Sequence, residues 1–139
     1  MKKLFTIFTV IVLTIVLASC GDNNQENSAS YEDTSEITVV LDIDFPDDCG
    51  VDDIEDLTLT VPEDSSVLDV LNTWAGDKNT VTLDPSSENP YVTGINGISA
   101  SSSAGWIYEV NGEMIMESAD AHNVENGDKI SWEYENWSE

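Results

Sequence analysis

The stretch at residues 105–113, GWIYEVNGE, decides the fold. Trp106, Tyr108 and Val110 alternate with Ile107 and Glu109, the period-two pattern of a strand, and Asn111-Gly112 follows at once. Asparagine followed by glycine most readily takes the positive φ angles of a two-residue hairpin turn. The spacing therefore predicts a strand that turns back on itself, with Trp106, Tyr108 and Val110 on one face. A two-residue loop sets Ile115 across from Tyr108 on that face and places Met114 and Met116 with Ile107 on the other. Neither face is clearly polar. The sheet here is either covered on both sides or leaves one apolar face for a ligand. Trp106 and Tyr108 can be read as core, the commoner fate of such rings, or as a binding platform.

Downstream, EMIM (113–116) and the polar segment ESADAHNVENGD lead to a last strand, KISWEYENW. There Ile130, Trp132 and Tyr134 point one way and Lys129, Ser131, Glu133 and Glu135 the other. Upstream lies the small, hydroxylated run SASSSA (99–104), preceded by YVTGINGI, the turn-rich PSSENP and a short strand in TVTLD (80–84). Residues 63–76, EDSSVLDVLNTWAG, read as a helix. Ser66 and Asp69 have capping-box spacing, and Glu63 and Asp64 lie where the helix dipole favours negative charge. Val67, Val70, Leu71 and Trp74 form one apolar stripe, and Gly76 is placed to end the helix in the left-handed conformation. Before it, Ile37, Val39, Leu41, Ile43 and Phe45 alternate with Thr38, Val40, Asp42 and Asp44. An acidic connection, PDDCGVDDIED (46–56), joins them to LTLTV, where Leu57, Leu59 and Val61 face inward up to Pro62. The two strands are predicted to form a hairpin. The order is strand, strand, helix, strands, which predicts an α+β fold with one helix packed on a mixed sheet.

The N-terminus gives an address. Lys2 and Lys3 precede the apolar run LFTIFTVIVLTIVLA, and Leu17-Ala18-Ser19-Cys20 closes it. That run is shorter than the roughly 20 apolar residues of a membrane-spanning helix. With small residues before the cysteine, it resembles a bacterial lipobox. Residues 1–19 are expected to be a lipoprotein signal peptide, Cys20 to carry the lipid, and the protein to sit on the outer side of a bacterial membrane. Residues 20–35 are too polar to offset their ordering entropy and are expected to be a flexible tether. One domain, 36–139, follows.

Only four basic residues face 28 acidic ones, a formal net charge of −24. Nucleic acid is thereby excluded as a natural partner, because phosphate contacts need Lys and Arg. The acids are spread along the whole chain, which favours a solubility role over cation binding. With Cys20 lipidated, Cys49 has no internal partner, so there is no disulfide framework and the thiol is expected to be inert. The loop around Asp47, Asp48, Asp52 and Asp53 offers hard oxygen ligands. However, an EF-hand register from Asp42 puts Pro46 and Asp47 at positions five and six, where an oxygen ligand and glycine belong. A solvated acidic loop is the default, and no metal site is assigned. His122, the only histidine, has no second ligand at useful spacing, and no Gly-x-Ser-x-Gly elbow or phosphate-cradling glycine loop occurs. An enzyme is not expected.

The runs VPEDSSVLDVLN, YVTGINGI, the serine-rich loop into GWIYEVNGE, and NGDKISWEY together resemble the transcobalamin-like C-terminal domain family, over about residues 36–135. The resemblance implies a β-grasp-like fold. In the animal cobalamin carriers of that family, this domain closes over the upper face of a corrin ring held by a helical barrel. For this chain it implies a ligand-closing surface at Ser101, Ser102, Ser103, Trp106 and Tyr108, with cobalamin or another corrinoid as ligand. The expectation is a lipid-anchored extracytoplasmic ligand-binding domain serving a transporter or surface protein. The alternative is a surface module that binds a protein and no small molecule.

Overall fold

The computed structural model describes residues 35–86 and 88–137. The expected signal peptide, Cys20 and nearly all of the expected tether lie outside the described residues. The elements run β1 (Glu36–Asp44), β2 (Ile54–Pro62), α1 (Val67–Ala75), β3 (Val81–Leu83), β4 (Val92–Ile95), β5 (Ile98–Ser99), β6 (Ala104–Val110), β7 (Glu113–Met114) and β8 (Lys129–Asn136). Among the described residues strands dominate and there is one helix, an α+β arrangement. Five strands form a mixed sheet in the order β2-β1-β8-β6-β7, and β3-β4-β5 form a second. Within the larger sheet β1 and β8, the first and last strands, pair in parallel, while β1–β2, β6–β8 and β6–β7 are antiparallel.

The alternation read in β1 sets this sheet's core face. Val39, Leu41 and Ile43 are fully buried, and the parallel register places Leu41 beside Ile130 and Ile43 beside Trp132. Helix α1 contributes Val67, Leu68, Val70, Leu71 and Ala75 to the buried set, a wider stripe than predicted, while Trp74 is only half-buried. The capping box forms: the Ser66 hydroxyl accepts from the Asp69 N–H (3.1 Å), and the Asp69 carboxylate accepts from the Ser66 N–H (2.9 Å). Two more N-terminal donors are satisfied from outside, Val67 N–H by the His122 carbonyl and Leu68 N–H by that of Ala119, each at 2.9 Å. The loop 119–122 therefore acts as a second cap.

Four expectations need correction. The helix starts at Val67, because Asp64 has φ +68°, so Glu63 and Asp64 belong to the approach and not to the first turn. Gly76 does cap the helix, but with φ +48° and ψ −134°, outside the left-handed helical basin. Strand β2 begins at Ile54, inside what reads as an acidic loop. A bulge lies between, where the register slips opposite Asp42 and Asp56 takes φ +49°. The Asp42 carboxylate holds that bulge by accepting from the Asp56 N–H (2.7 Å) and pairing with Lys129 Nζ (2.7 Å), which also reaches Asp56 (3.0 Å). These carboxylate contacts raise the Lys129 pKa. Finally, the strands after the helix do not all enter one sheet. A turn closed by Ser101 N–H donating to the Ala104 carbonyl (2.8 Å) separates β5 from β6.

Candidate functional site

Hairpin β6–β7 is the two-residue turn that GWIYEVNGE specifies. Asn111 and Gly112 have φ +54° and +78°, Val110 pairs with Glu113, and the Ile115 N–H approaches the Tyr108 carbonyl. Trp106 (9% exposed) and Tyr108 (6%) point into the core. The Trp106 ring lies edge-on to Phe45 and to Tyr134, with centroids 5.5 and 5.3 Å apart, and Tyr108 packs on Trp132 at 5.2 Å.

Their polar ends act as pins. Trp106 Nε1–H donates to the Ile98 carbonyl (2.9 Å) and the Tyr134 hydroxyl to the Ser99 carbonyl (2.9 Å), so both fasten β5 of the small sheet to the large one. The Tyr108 hydroxyl donates to the Glu117 carbonyl (3.0 Å) and fixes the segment after the hairpin. Burial pushes the Tyr108 pKa up to about 12, with Glu117 and Asp120 adding to the rise.

Both residues also line a cleft of about 190 Å³. One wall is Pro90, Tyr91 and Val92 at the start of β4; the other is the segment 114–119; Trp106, Ile107, Tyr108 and Trp132 complete it. Its mouth is unusual for so acidic a chain, since Tyr91, Met114 and Met116 are 63, 54 and 89% exposed. Exposed apolar side chains gathered at one opening mark a binding surface more often than scattered ones do. Methionine thioethers are soft enough to follow varied ligand shapes. Trp132, though 2% exposed, has no hydrogen-bond partner for its indole N–H among the described residues.

The structure does not bring the five sequence-selected residues together. Ser101, Ser102 and Ser103 are exposed at the other end of β6 and do not line the cleft. Their loop is clasped by Trp137, whose N–H donates to the Ser103 carbonyl (2.9 Å) and whose indole donates to that of Ser102 (3.3 Å). The ring lies so close to Gly105 that an added Cβ would come within 2.5 Å of it. This explains the glycine that opens GWIYEVNGE. Tyr91, Met114, Met116 and Trp132 are cleft residues that sequence reasoning did not select. The methionines were assigned a face from the hairpin register, but nothing in the sequence placed Tyr91 opposite them.

Other sequence features have ordinary partners. The Asp53 carboxylate accepts from the Phe45 N–H (2.8 Å), and half-buried Cys49 accepts from the Val51 N–H (3.4 Å). His122 Nδ1 lies 3.3 Å from the Glu117 carboxylate. Among the described residues, no three His, Cys, Asp or Glu side chains are grouped to hold a metal ion.

A family model described as Domain of unknown function (DUF4430) matches residues 64–136. No curated protein matches the chain. Among solved structures, haptocorrin in complex with Cbi aligns at TM-score 0.65 and 22% identity over 76% of this chain, a likeness of fold. The chain spans only 26% of the haptocorrin chain. A protein from Ruminococcus gnavus ATCC 29149, provisionally described as metal binding, aligns at TM-score 0.46 and 18% identity over 73% of this chain and 96% of its own.

Proposed function

The chain belongs to the DUF4430 family, and we propose that it is an extracytoplasmic ligand-binding domain, β-grasp-like in fold and held to a bacterial membrane by lipid on Cys20. The observation that carries this reading is the apolar cleft mouth of Tyr91, Met114 and Met116 above Trp106, Tyr108 and Trp132. At about 190 Å³ the cleft is smaller than the roughly 300–1,000 Å³ sites that enclose a drug-sized molecule. It therefore suits one face or edge of a larger ligand whose remainder rests on a second surface. Such a ligand could be cobalamin or another corrinoid, passed to a transporter or surface protein; the fold likeness to haptocorrin in complex with Cbi supports that candidate. We read the cleft as a holding site, since most of its lining is apolar or aromatic.

Titration of the full chain with cobalamin and with cobinamide, followed by tryptophan fluorescence, tests the corrinoid assignment. Saturable quenching that Met114→Glu abolishes is expected. No quenching at high micromolar corrinoid removes the assignment.

A second reading, a module that binds protein and no small molecule, is favoured by one observation. Strand β7 pairs with only the last two residues of β6, Glu109 and Val110, and leaves the rest of that edge without a strand neighbour.

A further inference from the structure

Strand β2 is the outermost strand of the large sheet, and among the described residues β1 is its one strand neighbour. Main-chain parity fixes which of its groups face outward. Val40 N–H donates to the Asp128 carbonyl and Gly127 N–H to that of Thr38, so even-numbered residues of β1 bond toward β8. Odd-numbered residues bond toward β2, as the Ser35 carbonyl does in accepting from the Glu63 N–H. The register sets Val39 opposite Leu59 and Leu41 opposite Leu57. On β2 it is therefore Thr58 and Thr60 that turn their N–H and C=O away from the sheet.

Among the described residues, no strand or loop takes up those groups, and both threonines are exposed. The open stretch has definite ends. At one is the bulge, where the Asp56 N–H is spent on the Asp42 carboxylate. At the other is Pro62, which has no N–H and whose carbonyl accepts from the Ser65 N–H. Between them Leu-Thr-Leu-Thr-Val (57–61) is uncharged and favours extended structure, although edge strands commonly carry a charge to keep other chains off. Leu57 and Leu59 are half-buried at the border of the core, where an incoming strand's side chains would pack against them.

Charge selects the occupant. Exposed Glu55 and Asp56 precede the open stretch, and exposed Glu63 and Asp64 follow it. A second copy, paired antiparallel so that Thr58 of each faces Thr60 of the other, would set Glu55 opposite Glu63 at both ends. Like charges directly across a strand pair are destabilising. Residues 21–35 of the chain carry acids and no Lys or Arg, so they are repelled in the same way.

We propose that the edge of β2 takes up an extended peptide with a short, uncharged, β-branched centre flanked by Lys or Arg. Two alternate residues of the peptide, running antiparallel, exchange main-chain hydrogen bonds with Thr58 and Thr60. Its cations face Glu55 and Asp56 at one end and Glu63 and Asp64 at the other. The main chain supplies affinity and the flanking charges supply specificity. Strand β2 ends the sheet on the side away from β6 and β7, so this surface is separate from the cleft and independent of what the cleft holds.

The test uses the full chain, ¹⁵N-labelled, and the acetylated, amidated peptide Lys-Lys-Val-Thr-Val-Lys-Lys. Binding should shift the Thr58 and Thr60 amides and slow their hydrogen exchange, while the Met114 and Met116 amides stay in place. N-methylation of either valine, which removes a donor aimed at β2, should weaken binding about tenfold. N-methylation of the central threonine, whose N–H points away, should change affinity little. Glutamate in place of the four lysines should abolish binding. Equal affinity for all the N-methylated peptides overturns the proposal, because attraction is then charge alone. Thr58 and Thr60 amides unmoved by millimolar peptide also overturn it. A chain that sediments as a dimer, with these two amides already protected, overturns it in favour of a second copy.

Discussion

Tyr108 holds its phenol proton more tightly than a tyrosine in water, with its pKa raised from 10.0 to about 12 chiefly by burial. Between those values the folded chain keeps a proton that the unfolded chain releases, so this residue makes stability fall as pH rises from 10 towards 12. Tyr108→Phe removes that dependence and also the bond to the Glu117 carbonyl, a cost of about 1 kcal/mol near neutrality. Urea unfolding should therefore find the variant less stable at pH 8, with the gap narrowing or reversing by pH 11. Parallel pH curves for the two proteins would refute this. Single residues also mark where sequence reading stops. Trp106 and Tyr108 were legible as one face of a strand, and that face is core; their other surfaces line a cleft whose far wall, Tyr91, comes from a distant segment. Alternation specifies the side of a sheet but not what long-range packing sets beside it.

Among the elements, α1 was the most legible, because its signals are local. The Ser66–Asp69 box forms as the spacing predicts, and its contribution can be measured. Ser66→Ala should cost about 1 kcal/mol, lowering Tm by about 4–8 °C, and Ser66→Thr should recover most of that loss. An unchanged Tm in Ser66→Ala would mean that the carbonyls of Ala119 and His122 cap the helix sufficiently by themselves. The bulge of β2 was illegible for the opposite reason. IED reads as loop because the period breaks there, and the break is repaired only by Asp42 and Lys129, 14 and 73 residues from Asp56. The small sheet, by contrast, carried a local signal. Asn96-Gly97 has φ +49° and +80°, the hairpin signal already read at Asn111-Gly112, and it was present in YVTGINGI.

At the level of the whole molecule, several of the acidic side chains share the sheet face opposite the core. Asp44 sits directly beside Glu133 in the parallel register, and Glu109 and Glu135 lie on the strands around them. Partial burial, then the charges of Asp53, Asp47 and Glu135, raise the pKa of Asp44 above 3.8; partial burial, then Glu109, Glu135 and Asp44, raise that of Glu133 above 4.5. A raised carboxylate pKa is a penalty on the folded state at neutral pH, relieved as pH falls through the folded value. Lowering the pH through the folded values of these two groups, or adding salt, should therefore relieve that penalty. Glu133→Gln should gain about 0.2–1 kcal/mol at pH 7 by removing a like-charge pair across neighbouring strands. A Glu133→Gln protein whose thermal stability matches the parent at pH 7 in low salt would contradict this account. The pairing of β1 with β8 has a mechanical consequence. Because these strands are parallel, tension applied between the start of β1 and the end of β8 loads their hydrogen bonds together, in shear, and does not open them one by one. A chain tethered at its N-terminal side and pulled from its C-terminal side by a captured partner would carry the load across this seam, and its lifetime under force would be set by the seam's rupture.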